Sequence, residues 1–302
     1  MTDKFREERK TGIGGSDAGA VCGVSKWRTP YQVYADKLGL NETEDNPAME
    51  WGRRLEPIVR QKYADETGRI VIVNPDLIRH PQYKFMIAHT DGLIQGEKRG
   101  LEVKTSRSPE GWGEAGTDEI PIEYIFQTQH YMIVAQIEVI DVAVLIGGQD
   151  FRIYEVPADK ELQDMIIETE HDFWEKNVKA QVPPEPVNMA DIKLRWKTST
   201  EKPINCDMAT FQAWDALQGL LTDKKATDAN IESLQAQIMA FMKENDTLLD
   251  SQGLTMVTWR SNKKGRETVD SKKLKAEMPE IYELFKKIGE PVRRFLIKGK
   301  EG

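Results

Sequence analysis

The sequence predicts a mixed α/β core over residues 1–180, with a central mixed β-sheet flanked by helices, followed by a mainly helical extension over 206–302. Three observations predict it. Strand-like and helix-like segments interleave through the first 180 residues, the pattern of a sheet with helices packed on it. The run Val182-Pro183-Pro184-Glu185-Pro186-Val187 then fixes φ repeatedly and removes backbone donors, so 181–205 reads as a proline-rich connector. Beyond it, from Met208 to Leu249, Ile231, Leu234, Ile238, Phe241 and Met242 recur at helical spacing.

Taken in order, Asn46-Pro47 supplies a cap and a first-turn proline, and Trp51, Leu55, Ile58, Val59 and Tyr63 follow on one helical face that ends near Gly68. Ile70–Val73 reads as a buried strand. Residues 86–94 and 101–105 read as two strands joined by a hairpin connection, Gln95 to Gly100, with glycine at 96 and 100. A helix over Ile122–Gln136, strands at Val139–Ile146 and Phe151–Val156, and a helix over Asp159–Ala180 complete the first region. After the connector come the long helix, a short strand at Thr255–Trp259, a basic turn at Arg260–Arg266 and two further helical stretches.

Composition narrows the function classes. The chain has 302 residues, 42 Lys+Arg against 50 Asp+Glu and a net charge of −8, which argues against a protein that coats nucleic acid nonspecifically. The charge is uneven: residues 253–302 hold 13 Lys/Arg against 7 Asp/Glu, so this tail is a candidate phosphate-facing surface, with Arg260, Lys263 and Lys264 in its basic turn. Two cysteines, Cys22 and Cys206, far apart and without a CxxC pairing, build neither a disulfide framework nor a zinc site. With no signal-like or membrane-length apolar run, a cytoplasmic location is expected. His80, His89, His130 and His171 show no zinc-hydrolase spacing.

The chemistry is expected around Asp91, Glu102 and Lys104 on the two arms of the hairpin. Side chains alternate along a strand, so Glu102 and Lys104 point one way while Val103 points the other. Two acids from adjacent strands repel unless a cation lies between them, and oxygen ligands of this kind suit Mg²⁺, with Mn²⁺ able to substitute. Such a site activates water and polarises a phosphodiester, with the lysine countering charge.

Three further features lie around this group. Glu56 stands beside the apolar stripe of its helix, next to Pro57, which is expected to kink it. Gln129 falls in the middle of the buried stripe Ile122, Ile125, Phe126, Met132, Ile133, where an amide needs partners that a wet active site would provide, whereas Gln127 is expected to face outward. Gly12-Ile13-Gly14-Gly15-Ser16-Asp17-Ala18 reads as a glycine-rich turn with Ser16 as N-cap; with Arg9 and Lys10 just before it, it suits a terminal phosphate.

The ordered set Gly-Gly-Ser-Asp, Trp-Gly-x-x-x-Glu, Thr-Asp-Gly, Leu-Glu-Val-Lys-Thr and Gln-Thr-Gln-His-Tyr resembles the YqaJ-like viral recombinases, grouped with phage lambda exonuclease in the PD-(D/E)xK nuclease superfamily. The resemblance covers about residues 9–180, with Thr90 in place of the proline of the superfamily name. It implies a restriction-endonuclease-like core and Mg²⁺-dependent 5′-to-3′ digestion of double-stranded DNA ends, leaving 3′ single-stranded tails. It assigns metal binding to Asp91 and Glu102, with Glu56 and the Val103 carbonyl, and catalysis to Lys104 with Gln129. It gives the 5′-phosphate to Ser16 and Arg9, within a surround of Lys10, Asp17 and Gln127, and places Phe5 as an aromatic wedge. A homotrimeric ring and a single-strand annealing partner are also implied. Two alternatives use the same residues: an endonuclease of restriction or structure-specific type, and a noncatalytic DNA-binding recombination scaffold.

Overall fold

The computed structural model describes residues 3–41, 46–73, 76–200, 202–262, 265, 267–289 and 292–298; within these the side chains of residues 3 and 5 are not described. The chain divides into two units, 1–196 and 197–302. The first runs α1 (Asp3–Lys10), β1 (Ile13–Gly14), α2 (Gly15–Val21), α3 (Pro30–Lys37), α4 (Pro47–Thr67), β2 (Val71–Ile72), β3 (Ile78–Arg79), β4 (Met86–Ala88), β5 (Gly92–Ile94), β6 (Arg99–Ser106), α5 (Ile122–Ala135), β7 (Val139–Ile146), β8 (Asp150–Pro157), α6 (Lys160–Phe173) and α7 (Met189–Arg195). The second holds α8 (Met208–Met242), β9 (Thr247–Leu249), β10 (Thr255–Thr258), α9 (Ser271–Glu277) and α10 (Pro279–Phe285). No described helix is long and apolar enough to cross a membrane, and both cysteines are free thiols.

The main sheet has the order β2-β5-β6-β7-β8 and is mixed: β6 and β7 are parallel, joined over the top by α5, and the other neighbours are antiparallel. Alternation along β7 divides the apolar side chains between two faces. Ile140, Val142, Val144 and Ile146 pack with Met132, Phe126 and Ile166 on the α5 side, while Ala143 joins Val59, Tyr63, Leu101 and Val103 on the α4 side. Helix α4 forms where the sequence says it should. Asn46 accepts from the Met49 N–H at 3.0 Å, Pro47 occupies the first turn, and Gly68 closes the helix at φ 69°.

Several expectations change. The run 86–94 is not one strand: β4 belongs to a separate three-stranded sheet with β1 and β3, and β5 to the main sheet. The break falls at His89-Thr90-Asp91, where the chain passes from one sheet to the other, so Asp91 is freed from strand pairing. Ile70–Val73 shortens to β2, and the helix expected through Leu249 stops at Met242 because Thr247–Leu249 pairs antiparallel with β10. α6 continues past Phe173 only as a π-helical turn over Trp174–Lys179. Pro57 lies inside α4 and does not end it.

The segment read as a connector carries α7. Its Asp191 is buried and accepts from Thr29 Oγ1 at 2.9 Å, Gln32 Nε2 at 3.0 Å and the Val187 N–H at 3.0 Å. A carboxylate that has left water needs these donors, so they tie the end of the first unit to the start of α3.

Candidate active site

Asp91, Glu102, Lys104 and Glu56 line one cleft of about 1360 Å³ in the first unit, with Arg9, Ser16, Val103, Gln127 and Tyr131 also in its walls. The β5–β6 register, Gly92 opposite Leu101, carries Asp91 to the position facing Glu102. There Asp91 Oδ2 accepts from the Val103 N–H at 2.7 Å.

Glu102 and Lys104 lie on the α5 face of β6. Lys104 Nζ donates to Glu102 Oε1 at 2.6 Å and to Gln127 Oε1 at 2.9 Å, and sits 4.5 Å from the centre of the Tyr124 ring. Gln127 Nε2 donates to the same Glu102 oxygen at 2.7 Å. One oxygen of Glu102 is thus doubly held, while its Oε2 is buried without a hydrogen-bond partner among the described residues, as is the Thr90 hydroxyl nearby in the cleft.

The electrostatics match this crowding. Burial pushes the Asp91 carboxyl well up from its ordinary value, and the charges of Glu102 and Glu56 add to it. Burial also raises Glu102, against the opposing pull of Lys104. Burial alone would lower Lys104, but Glu102 and Tyr124 outweigh it, so the ammonium stays charged. Two acids held together at a cost, one with a buried oxygen that finds no partner among the described residues, have a chemistry that fits a hard divalent cation, whose charge would favour both carboxylates. Among the described residues no three His, Cys, Asp or Glu side chains gather as a ligand cluster. Mg²⁺ asks for less, taking one or two carboxylates and keeping several waters. Glu56, a third acid at the cleft, is bonded to Arg60 at 2.9 Å, and Arg60 also donates to the Asp91 carbonyl at 2.7 Å.

The two glutamines exchange the places expected of them. Gln129 is buried away from the cleft: Nε2 donates to the Pro157 carbonyl at 2.8 Å, and Oε1 accepts from the Asp159 N–H and from Gln163 Nε2, each at 3.0 Å. It fastens the start of α6 to α5. The outward assignment of Gln127 fails because α5 is buried on every side from Phe126 to Val134, so an apolar stripe marks no single inner face. Tyr124, Gln127 and Tyr131, spaced three and four apart, form the face toward the site, and that polar spacing is visible in the sequence. The two amides therefore separate by experiment. Gln129→Ala is expected to cost about 1–3 kcal/mol in denaturant melts by orphaning the Asp159 N–H, whereas Gln127→Ala should leave stability nearer wild type and lower turnover.

At the glycine-rich turn, Gly14 and not Ser16 is the N-cap; α2 begins at Gly15, and the Gly14 N–H donates to Asp17 Oδ2 at 3.2 Å. Ser16 is exposed and accepts from Arg9 Nη2 at 3.0 Å. Asp17 is fully buried and faces cations: Arg9 at 2.8 Å, Arg28 at 2.7 Å and Lys37 at 2.6 Å. Burial alone would raise its carboxyl, but Lys37, Arg9 and Arg28 together hold it well below the usual carboxylate range. Asp17 is thus the anchor of the basic side chains. Gly15 has its own constraint, since a Cβ there would lie 2.4 Å from the Tyr131 ring, whose hydroxyl accepts from Gln127 Nε2 at 3.2 Å. Tyr131 therefore joins the turn to the carboxylate group. Lys10 is not in the cleft; it bonds Glu7 at 2.6 Å. In the second unit Arg260 is paired with Asp246 at 3.5 Å. Lys263, Lys264 and the Phe5 side chain lie outside the described residues.

Residues 4–138 match the YqaJ-like viral recombinase domain. Over 307 aligned positions the chain is 35% identical to the uncharacterized protein YqaJ of Bacillus subtilis (strain 168), covering 98% of this chain and 94% of that one. The chain belongs to the YqaJ-like viral recombinase family. Among solved structures, the alkaline exonuclease LHK-Exo of Laribacter hongkongensis is similar at a TM-score of 0.49 and 24% identity, over 60% of this chain and 94% of that one. A putative exonuclease from Eubacterium rectale gives a TM-score of 0.47 at 14% identity, over 68% and 96% of the two chains. In this YqaJ-like chain, the matched domain contains Asp91, Glu102, Lys104 and Gln127 together with the Arg9–Ser16 turn, and ends one residue before β7.

Proposed function

We propose that this chain is a Mg²⁺-dependent deoxyribonuclease that digests double-stranded DNA from an end in the 5′-to-3′ direction, leaving 3′ single-stranded tails for recombination. The observation that carries this reading is the Asp91–Glu102–Lys104–Gln127 group in one cleft, with a buried carboxylate oxygen that no donor among the described residues satisfies. The cleft is larger than the roughly 300–1,000 Å³ of a small-molecule pocket, which suits a polymer. Membership in the YqaJ-like viral recombinase family supports the same reading.

Asp91 and Glu102 would hold the cation, with the Val103 carbonyl. Bound there, Mg²⁺ would supply Lewis-acid polarisation of a phosphoryl oxygen and a lowered pKa for water. The protein groups do the rest. Lys104, kept charged by Glu102, places a fixed ammonium where negative charge grows on the phosphate, and Gln127 holds both partners in register. Arg9 and Ser16, poised together in the same cleft, would take the terminal 5′-phosphate. A ring-shaped homotrimer around the DNA and a single-strand annealing partner belong to the same proposal.

Time courses on linear duplexes labelled at the 5′ or the 3′ end, with Mg²⁺ or with EDTA, test it. Release of the 5′ label first, and only with Mg²⁺, is expected; rapid cutting of covalently closed duplex would instead mark an endonuclease. Arg9→Ala and Ser16→Ala should remove the preference for a 5′-phosphorylated over a 5′-hydroxyl end. Equal rates on both ends in the wild-type protein would sink the phosphate pocket.

A further inference from the structure

Helix α8 has 35 residues, about 50 Å at 1.5 Å per residue, and every residue from 221 to 241 is exposed. It nonetheless carries an apolar stripe: Leu217, Leu220, Ile231, Leu234, Ile238 and Phe241 alternate at three and four residues, interrupted at the centre by Lys224 and Thr227. Leu220 is 65% exposed, Leu234 58% and Phe241 74%. Leu217 is half-buried, next to Gln218, whose Nε2 donates to the Lys298 carbonyl at 3.0 Å, but from Leu220 to Phe241 the seam is exposed, and an apolar seam of that length is the mark of an interface.

The order of residues along the seam says what covers it. Read against its own reverse about the midpoint between residues 225 and 226, the stripe is self-complementary: Leu220 falls opposite Ile231, Leu217 opposite Leu234, Ala213 opposite Ile238 and Thr210 opposite Phe241. Large apolar residues of one half meet apolar or small residues of the other. At the centre Lys224 falls opposite Thr227, within reach of Asp228 of the opposing helix on the flank of the seam, and the two-fold axis makes that ion pair twice. A parallel pairing would instead stack Lys224 on Lys224, two like charges in one layer.

We propose that α8 pairs antiparallel with α8 of a second copy of this chain, in this register, making a two-helix coiled coil that joins two protomers through their second units. The central Lys224–Asp228 pair sets direction and register, as a polar residue in an otherwise apolar seam does. This pairing is independent of the nuclease reading and of any ring.

The test uses the full-length chain. Sedimentation or light scattering of wild type and of the Ile231→Glu/Leu234→Glu variant should show the mass of the particle halved by the substitutions, with the thermal transition of the first unit retained. Equal masses would overturn the proposal. Lys224→Glu should weaken association at least tenfold, and adding Asp228→Lys should restore it; failure of the double reversal to restore it would overturn the ion pair. Direction is read by crosslinking in a Cys206→Ser background: Leu220→Cys together with Ile231→Cys should form an interchain disulfide and Leu220→Cys alone should not. Crosslinking by Leu220→Cys alone would mean parallel pairing and overturn the register.

Discussion

Glu102→Gln and Lys104→Ala should each lower hydrolysis of linear duplex by about 10²–10³-fold while leaving DNA binding in place. Glu102 sits where three demands meet: it accepts from Lys104 and Gln127 through one oxygen and presents the other, buried and without a partner among the described residues, to the cleft. The amide keeps the shape but brings a donor where a cation is expected and releases the charge that holds Lys104. Lys104→Ala removes the fixed ammonium and leaves Glu102 and Asp91 facing each other with less compensation, so more Mg²⁺ should be needed for half-maximal rate in Glu102→Gln than in Lys104→Ala. Rates on a labelled duplex, with binding measured separately in Ca²⁺, check this. Activity within a few-fold of wild type in both variants would return the chain to the noncatalytic scaffold reading.

The second large effect is on stability. Asp17→Asn should destabilise the first unit by about 3–5 kcal/mol near neutral pH, because it leaves Arg9, Arg28 and the buried Lys37 around a neutral amide. The pH dependence has a defined direction. The folded carboxyl lies well below its ordinary value, so its contribution is complete above about pH 4, where the unfolded chain also ionises, and is lost as pH falls toward the folded pKa. The stability gap between wild type and Asp17→Asn should therefore be constant from pH 5 to 8 and close only below pH 4. Urea melts at pH 7 and pH 3.5 measure it. A gap of under 1 kcal/mol at pH 7 would mean that the three cations are satisfied by solvent.

The residues of the cleft differ in how far local sequence fixes their place. Strand alternation placed Glu102 and Lys104 on one side of β6, and the cap, proline and glycine of α4 set its ends, because both follow from local backbone geometry. The sequence marks Asp91 by its residue type, yet its geometry depends on a change of sheet at residues 89–91 that no local pattern announces. The glutamines failed for a related reason. Periodicity tells a buried face from an exposed one, and α5 has no exposed face through its middle, so only the packing of α6 and β6 decides that Gln129 fastens the fold and Gln127 meets the site. Asp17 looked like part of an anion pocket because its neighbours in sequence are glycine and serine; Arg28 and Lys37, which give it its role, come from other segments.

By itself the sequence determined which side chains could carry phosphodiester chemistry and which helices and strands hold most of them, since caps, alternation and spacing act over a few residues. Tertiary structure alone decided which of those side chains meet. Contact between Asp91 and Val103, Gln127 and Glu102, or Asp17 and Lys37 depends on how separate elements pack, and the energy of a buried charge is set by whatever that packing brings beside it.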